Sequence, residues 1–223
     1  MVIRDDVSGI PKMNPNYQEQ QTPISCGQIV INFVIHSLLL ILTIYLTYVS
    51  FSQGATLFSW HPALSTIGYV LFMSEAILSF AENNLMTGNR NFKWRVKIHW
   101  IMQTIGCTCV VAGFGVILVN KFIKNKSNFH ASHGIVGLLI IILTVMVACG
   151  GVWIKYSYDL CQYLRPVYAK LIHCVFGIIL YIFLHRLIGL EDSSSSLTSI
   201  YILIDPITTA AARFKTAFMR INF

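Results

Sequence analysis

Four histidines recur at similar places along this 223-residue chain. His61, His99, His133 and His173 each stand within the first few residues of a long apolar run. Ionisable side chains inside a membrane are rare and usually functional, so the pattern marks a candidate site. Because imidazole is a common axial ligand of haem iron, the chemistry to consider is cofactor binding inside a bundle of apolar helices.

The elements that would carry these histidines are membrane-spanning helices. Hydrophobic residues make up 55% of the chain and charged residues only 11%, whereas soluble domains carry about 25% charged residues. A helix needs about 20 apolar residues to cross the lipid core. Five runs reach this length, at 29–51, 57–80, 98–119, 133–154 and 171–190. A sixth run, at 197–212, is short and is interrupted by Asp205-Pro206. We therefore predict an all-α integral membrane protein of six helices.

The charge pattern predicts the orientation of the chain in the membrane. Its net charge of +7 does not indicate nucleic-acid binding, because the basic residues lie in short clusters beside the apolar runs. Most of them lie in the two tails and in the loops after the second and fourth runs, which all fall on one side of the membrane. The positive-inside rule then places that side, with both termini, in the cytoplasm. No signal-peptide pattern precedes the first run, which we expect to stay as an anchor. The predicted parts are a cytoplasmic tail at 1–28, a transmembrane domain at 29–212 and a basic cytoplasmic tail at 213–223.

This topology sorts the four histidines into two pairs. Spans two and four enter the membrane from the outside, so His61 and His133 lie near the outer face. Spans three and five enter from the cytoplasm, so His99 and His173 lie near the inner face. Two facing imidazoles suit a six-coordinate haem iron with no open position for oxygen, which favours electron transfer. We predict a four-helix core, formed by spans two to five, that binds two haems.

Several alternatives stay open at this point. A lone histidine at a membrane end is usually interfacial or hydrogen-bonded, and we interpret His36 and His185 in that way. His130 is the main rival of His133, since it lies three residues away. A cofactor-free transporter or proton channel with a histidine relay is the second functional hypothesis, and a structural membrane subunit is the third. Five glycines that follow the four histidines by four to fourteen residues indicate either room for a porphyrin or close helix packing: Gly68, Gly106, Gly113, Gly137 and Gly177.

At these residues the chain resembles the cytochrome b561 family. The resemblance implies two non-covalent haems b, with His61 and His133 on the outer haem and His99 and His173 on the inner one. It also implies an ascorbate-dependent transmembrane oxidoreductase that delivers electrons to monodehydroascorbate or ferric iron, in an endoplasmic reticulum, vesicle or other endomembrane, and a possible homodimer. The matching segments are Leu57-Phe58-Ser59-Trp60-His61-Pro62, Met73-Ser74-Glu75-Ala76, His99-Trp100, His133-Gly134 and Lys170-Leu171-Ile172-His173.

Basic residues near the inner histidines are candidates for the ascorbate side. Arg95 and Lys97 precede His99, and Lys170 precedes His173. A basic rim would concentrate an anion such as ascorbate, although ordinary positive-inside flanks have the same composition. For Glu75, two interpretations stay open: it tunes the inner haem or accepts a proton, or it pairs with Arg95 or Lys97.

Overall fold

The computed structural model describes residues 26–81, 84–88, 90–126, 132–156 and 166–191, with no side-chain description for 166, 167, 182 and 185–191. The described residues are helical with short turns and contain no strand, which confirms the all-α prediction. The predicted sixth run, at 197–212, and both predicted tails apart from residues 26–28 lie outside the described residues. The elements are α1 (Cys26–Phe51), α2 (Leu57–Thr66), a π-helical segment (Ile67–Met73), α3 (Ser74–Leu78), α4 (Phe92–Ile123), α5 (Ser132–Tyr156) and α6 (Pro166–Glu191).

The second predicted span is helical but not uniform. A capping box between Thr56 and Ser59 begins it, and right-handed helical backbone continues from α2 through the π-helical segment into α3. The Ser74 hydroxyl donates to the carbonyl of Tyr69, five residues earlier, at 3.2 Å. We refer to residues 57–78 as the composite helix. Hydrophobic periodicity predicted an uninterrupted span here, because no sequence pattern marks a π-helical turn.

Helices α4 and α6 begin five or more residues before the apolar runs that predicted them. Asn91 caps α4, its side chain accepting a hydrogen bond from the Trp94 amide at 3.1 Å. Lys97 therefore lies on the helix rather than in a loop, and Lys170 likewise lies within α6. Hydropathy marks the part of a helix that lies in lipid, whereas the helix itself extends to the residue that caps its backbone.

The apolar residues of the long helices mostly face outward. Three helices are long and apolar enough to cross a membrane, namely α1, α4 and α5, yet only 11–17% of the residues in their most apolar windows are buried within the chain. Phe33 and Ile41 of α1 are each more than 60% exposed. Apolar surface of this extent needs lipid or another apolar partner as its solvent, so the chain is a membrane protein.

The four helices predicted as the core meet in one buried cluster. Tyr69 and Met73 come from the composite helix, Val110 from α4, Ile140 from α5 and Leu180 from α6. Val110 and Ile140 are almost fully buried, at 1% and 2% exposure. We call these five residues the central cluster.

Helix α1 lies outside this group of four. Its Leu39 and Leu42 pack against Val70 and Leu78 of the composite helix. The first helix therefore covers the composite helix and contributes no residue to the central cluster.

Candidate cofactor site

The structure brings two of the four predicted histidines together. The imidazoles of His99 on α4 and His173 on α6 have ring centroids 6.5 Å apart and planes at 82°. His99 lies eleven residues before Val110 and His173 seven before Leu180. Both rings therefore stand on one side of the central cluster, at the end from which α4 and α6 enter the bundle.

Each of these imidazoles is held by a backbone carbonyl of a neighbouring helix. The Nδ1 of His99 donates to the carbonyl of Ala76 at 2.9 Å. The Nδ1 of His173 donates to the carbonyl of Val147 at 3.1 Å. Since a carbonyl can only accept, the proton of a neutral ring lies on Nδ1, and Nε2 keeps its lone pair. Metal-ligating histidines are commonly oriented in this way.

The spacing of His99 and His173, which we call the inner pair after the side of the membrane predicted for them, fits a shared iron. Two imidazoles on opposite sides of one metal, each with a nitrogen about 2 Å from it, have centroids about 6 Å apart. The described residues contain no group of three or more His, Cys, Asp or Glu side chains arranged for a metal ion. A pair of imidazoles without further protein ligands suits haem, whose porphyrin supplies the four equatorial nitrogens. The residues present at this end therefore fit the group.

Small residues and one aromatic ring frame the inner pair. A Cβ at Gly151 would lie 3.3 Å from Cε1 of His173, and one at Gly150 would lie 3.6 Å from its Nδ1. The ring of Phe80 stands 4.9 Å from that of His99, centroid to centroid. No pattern in the sequence predicted these three contacts. The one hint in the sequence was the pair of adjacent glycines on α5, Gly150 and Gly151. Their distance along the chain from His133 did not connect them to His173 on α6.

The outer pair is placed less symmetrically. The Nδ1 of His61 donates to the carbonyl of Gly113 on α4 at 3.1 Å, the same arrangement as at the inner pair. His133 is the second residue of α5, and its side chain is exposed. A hydrogen bond of 2.9 Å from the Tyr69 hydroxyl to Thr144 Oγ1 joins the composite helix to α5 beyond both histidines. His61 and His133 therefore lie on the side of the central cluster opposite to the inner pair.

The five glycines singled out in the sequence separate into two groups. A Cβ at Gly68 would lie 2.8 Å from the Gly106 carbonyl, and one at Gly113 would lie 3.2 Å from the His61 carbonyl, so these three let α4 approach the composite helix. By contrast, a Cβ at Gly137 or Gly177 would have no neighbouring atom within 4 Å. The packing interpretation holds for the first group, and the second leaves room beside His133 and His173.

Of the other three histidines, the structure describes the side chain of His36 alone. His36 on α1 bonds to Glu75, its Nδ1 lying 2.7 Å from the carboxylate. Of the two interpretations left open for Glu75, pairing with Arg95 or Lys97 is therefore wrong. His130 lies outside the described residues, and the side chain of His185 is not described.

The basic candidates for the ascorbate side also differ from one another. The Arg95 guanidinium donates to the carbonyls of Phe80, Gly88 and Arg90 at 3.3–3.5 Å, so it closes the turn before α4. Lys97 and Lys170 are exposed. Lys155 stands at the same end, with its Nζ 3.7 Å from the centroid of the Trp100 ring.

Comparison with known proteins places the chain in a family. The family model for eukaryotic cytochrome b561 matches residues 60–193, which include all four histidines. The chain is 30% identical to the human transmembrane reductase CYB561D2 over 129 residues, 58% of each chain. It is 35% identical to the mouse probable transmembrane reductase CYB561D1 over 109 residues, 49% of this chain and 47% of that one. These alignments cover less than two thirds of either relative. With more than half of its length matched by the family model, the chain belongs to the eukaryotic cytochrome b561 family.

Proposed function

We propose that the protein is a transmembrane di-haem b-type cytochrome that transfers single electrons across a membrane. Its donor is cytoplasmic ascorbate, and its acceptor on the far side is monodehydroascorbate or ferric iron. The observation that carries the proposal is the inner pair, in which His99 and His173 face one another with both Nδ1 atoms bonded to carbonyls. Membership of the cytochrome b561 family and the similarity to proteins named transmembrane reductases support it.

In this proposal each histidine pair holds one haem. His99 and His173 would hold the inner haem b, and His61 and His133 would hold the outer one. When bound, the haems supply reversible one-electron chemistry, since bis-histidine ligation leaves no open position for oxygen. The carbonyls of Ala76, Val147 and Gly113 fix the ring orientations and raise the basicity of the ligating nitrogens.

The residues of the inner end would gather the donor. Lys97 and Lys170 are exposed beside the inner pair, and their charges attract an anion at the membrane surface. Arg95 has a different task, because its guanidinium is engaged with three carbonyls of the turn before α4. Its contribution to donor binding would come from its charge rather than from free donor groups.

The topology and boundaries of the protein belong to the same proposal. Both termini are cytoplasmic, residues 29–212 form a six-helix transmembrane domain, and the polar tails are 1–28 and 213–223. The membrane is an endomembrane such as the endoplasmic reticulum or a vesicle, and the protein forms a homodimer. The clustering of exposed lysines at the end that holds His99 and His173 supports this orientation.

Sealed vesicles test the function directly. Purified protein is reconstituted into vesicles loaded with ascorbate, a ferric complex is added outside, and external ferrous iron is followed with an impermeant chelator. We expect iron reduction that depends on both the protein and the enclosed ascorbate, and that is lost in a His99→Ala, His173→Ala double variant. Folded protein without a Soret band, or with proton leakage and no electron transfer, would instead support the proton-channel hypothesis.

A further inference from the structure

A buried polar network lies between α1 and the inner end of the composite helix. Its members are Glu75, His36 and Asn84, and Glu75 and Asn84 are only 8% and 1% exposed. The Nδ1 of His36 lies 2.7 Å from each carboxylate oxygen of Glu75. On the other side of the ring, Nδ2 of Asn84 lies 3.1 Å from Nε2 of His36. None of these residues belongs to the proposed haem ligands or to the basic rim.

The surroundings of Asn84 determine where the protons are. Its Oδ1 accepts hydrogen bonds from the amides of Met86 and Thr87, at 2.7 and 3.3 Å. Its Nδ2 donates to the carbonyl of Leu78 at 2.9 Å. The amide orientation is therefore set by three backbone groups, and Nδ2 presents a hydrogen to His36. An imidazole nitrogen that faces a donor must carry a lone pair, so Nε2 is unprotonated.

The charge of the network follows from this tautomer. With Nε2 unprotonated, a neutral His36 carries its proton on Nδ1 and donates it to Glu75. Both carboxylate oxygens are 2.7 Å from that nitrogen, which suits an ionised group, because in a neutral acid one of the two oxygens would be an O–H donor facing the N–H donor. Oε2 of Glu75 has no hydrogen-bond partner. Within the described part of the chain, no Lys or Arg side chain forms a salt bridge with Glu75, and its partner His36 is neutral, so the network as a whole carries one negative charge.

The network adjoins the inner histidine pair through the backbone. Glu75 immediately precedes Ala76, whose carbonyl accepts the Nδ1 hydrogen of His99. The same carbonyl accepts the hydroxyl of Ser79 at 2.7 Å. A buried unit charge thus stands one residue from the group that orients a proposed haem ligand. A burial cost of this kind is usually offset by a specific opposite charge nearby.

We propose that Glu75, held ionised by His36 and Asn84, stabilises the oxidised form of the inner haem and so lowers its midpoint potential. The inference rests on the proposed function, since it requires a haem between His99 and His173. Ferric haem carries one more positive charge than ferrous haem, and a fixed anion favours the more positive state. A unit charge about 10 Å away in a protein interior changes such an equilibrium on the order of tenfold. Glu75 is accordingly a positioning and tuning residue, not a ligand.

The test is a redox titration of the purified, haem-loaded protein, followed in the α-band. Glu75→Gln removes the charge and keeps the size. His36→Lys places a positive charge beside Glu75 and so cancels its negative charge, whereas His36→Gln at the same position leaves the negative charge in place. Ser74→Ala removes a neighbouring hydroxyl without a charge and serves as a second control. The α-band component that His173→Ala lacks belongs to the inner haem. The remaining component belongs to the outer haem and is the internal reference.

We expect Glu75→Gln and His36→Lys to raise the ferrous-to-ferric ratio of the inner component about tenfold at a fixed potential, or about 59 mV for one electron. Glu75→Asp, His36→Gln and Ser74→Ala should stay near the original protein, and the outer component should not move. Unchanged inner potentials in both charge-cancelling variants would overturn the inference. Equal shifts in His36→Gln and Glu75→Gln would show that the network only anchors α1. Protein that binds no haem at all would overturn the proposed function instead.

Discussion

The two ends of the bundle use the same type of residue in different surroundings. At the inner end, His99 and His173 contact each other, both bond to backbone carbonyls, and Gly150 and Gly151 adjoin one ring. At the outer end, His61 has the same kind of carbonyl bond, whereas His133 is exposed at the start of its helix. Among the described residues, His61, His99 and His173 are all half-buried, whereas His133 is exposed.

This difference teaches that ligand identity and ligand surroundings are separate variables. Four histidines at similar intervals predict two equivalent sites, yet among the described residues the buried carboxylate of Glu75 adjoins the inner pair. Two haems in such surroundings would differ in potential, in access to solvent and in the charge of their redox partners. An electron carrier that must take electrons on one side and release them on the other benefits from that asymmetry.

Removing one histidine of the inner pair should have the largest effect, and it should affect one end of the bundle only. His173→Ala removes one axial ligand of the proposed inner haem, and the bound haem should fall from two per chain to about one. The remaining haem should keep an unchanged spectrum. Haem content by pyridine haemochrome assay checks this, with His36→Gln as the histidine control. Loss of both haems, or of neither, would mean that the two pairs are not independent sites.

A packing change should affect the inner end alone. Gly151→Val places side-chain atoms where a Cβ would already lie 3.3 Å from the His173 ring, so we expect inner-haem occupancy to fall several-fold. Gly115→Val is the matched control, since a Cβ at Gly115 has no neighbour within 4 Å. Haem content and the resolved α-band components measure both variants. An equal loss in the control would indicate general misfolding rather than a local clash.

A change midway between the two ends should weaken both of them together. A Cβ at Gly68 would stand 2.6 Å from a methyl of Val110 and 2.8 Å from the Gly106 carbonyl. We expect Gly68→Ala to lower the free energy of unfolding by about 1–3 kcal/mol, as overpacking does, while both haems remain bound at low temperature. Thermal unfolding in detergent measures this. Unchanged stability would contradict the close approach of the composite helix to α4.

The smallest expected effect concerns the charged surface of the inner end. Lys97→Ala and Lys170→Ala should each slow reduction by ascorbate a few-fold at low ionic strength, and the difference should shrink in high salt as the charges are screened. Stopped-flow reduction of the haems measures the rate. Lys124→Ala, beyond the other end of α4, should leave it unchanged. A salt-independent loss would point to a specific contact rather than to attraction of an anion.

Sequence reasoning recovered the helices but not their ends or irregularities. Apolar runs predicted all five described helical regions, because lipid demands long uninterrupted hydrophobic stretches. The runs could not show that Asn91 caps α4 seven residues before the predicted start, since capping depends on local hydrogen bonds. Nor could they show the π-helical segment at Ile67–Met73, which no hydrophobic pattern marks.

The proximity of His99 and His173 was predicted from the sequence, whereas the groups that hold their rings were missed. Histidine spacing and alternating helix direction brought His99 and His173 to one level without any coordinates. The carbonyls of Ala76, Val147 and Gly113 could not be predicted, because every residue has a carbonyl and only tertiary packing selects one. The pairing of Glu75 with His36 was missed for a related reason, since α1 was assigned no partner in the bundle.

The most direct test of the account is the haem content and iron coordination of the purified wild-type protein. We predict two haems b per chain, both six-coordinate and low-spin by electron paramagnetic resonance, as bis-imidazole ligation requires. Folded protein without haem, or with high-spin iron that binds carbon monoxide readily, would contradict the assignment of the four histidines.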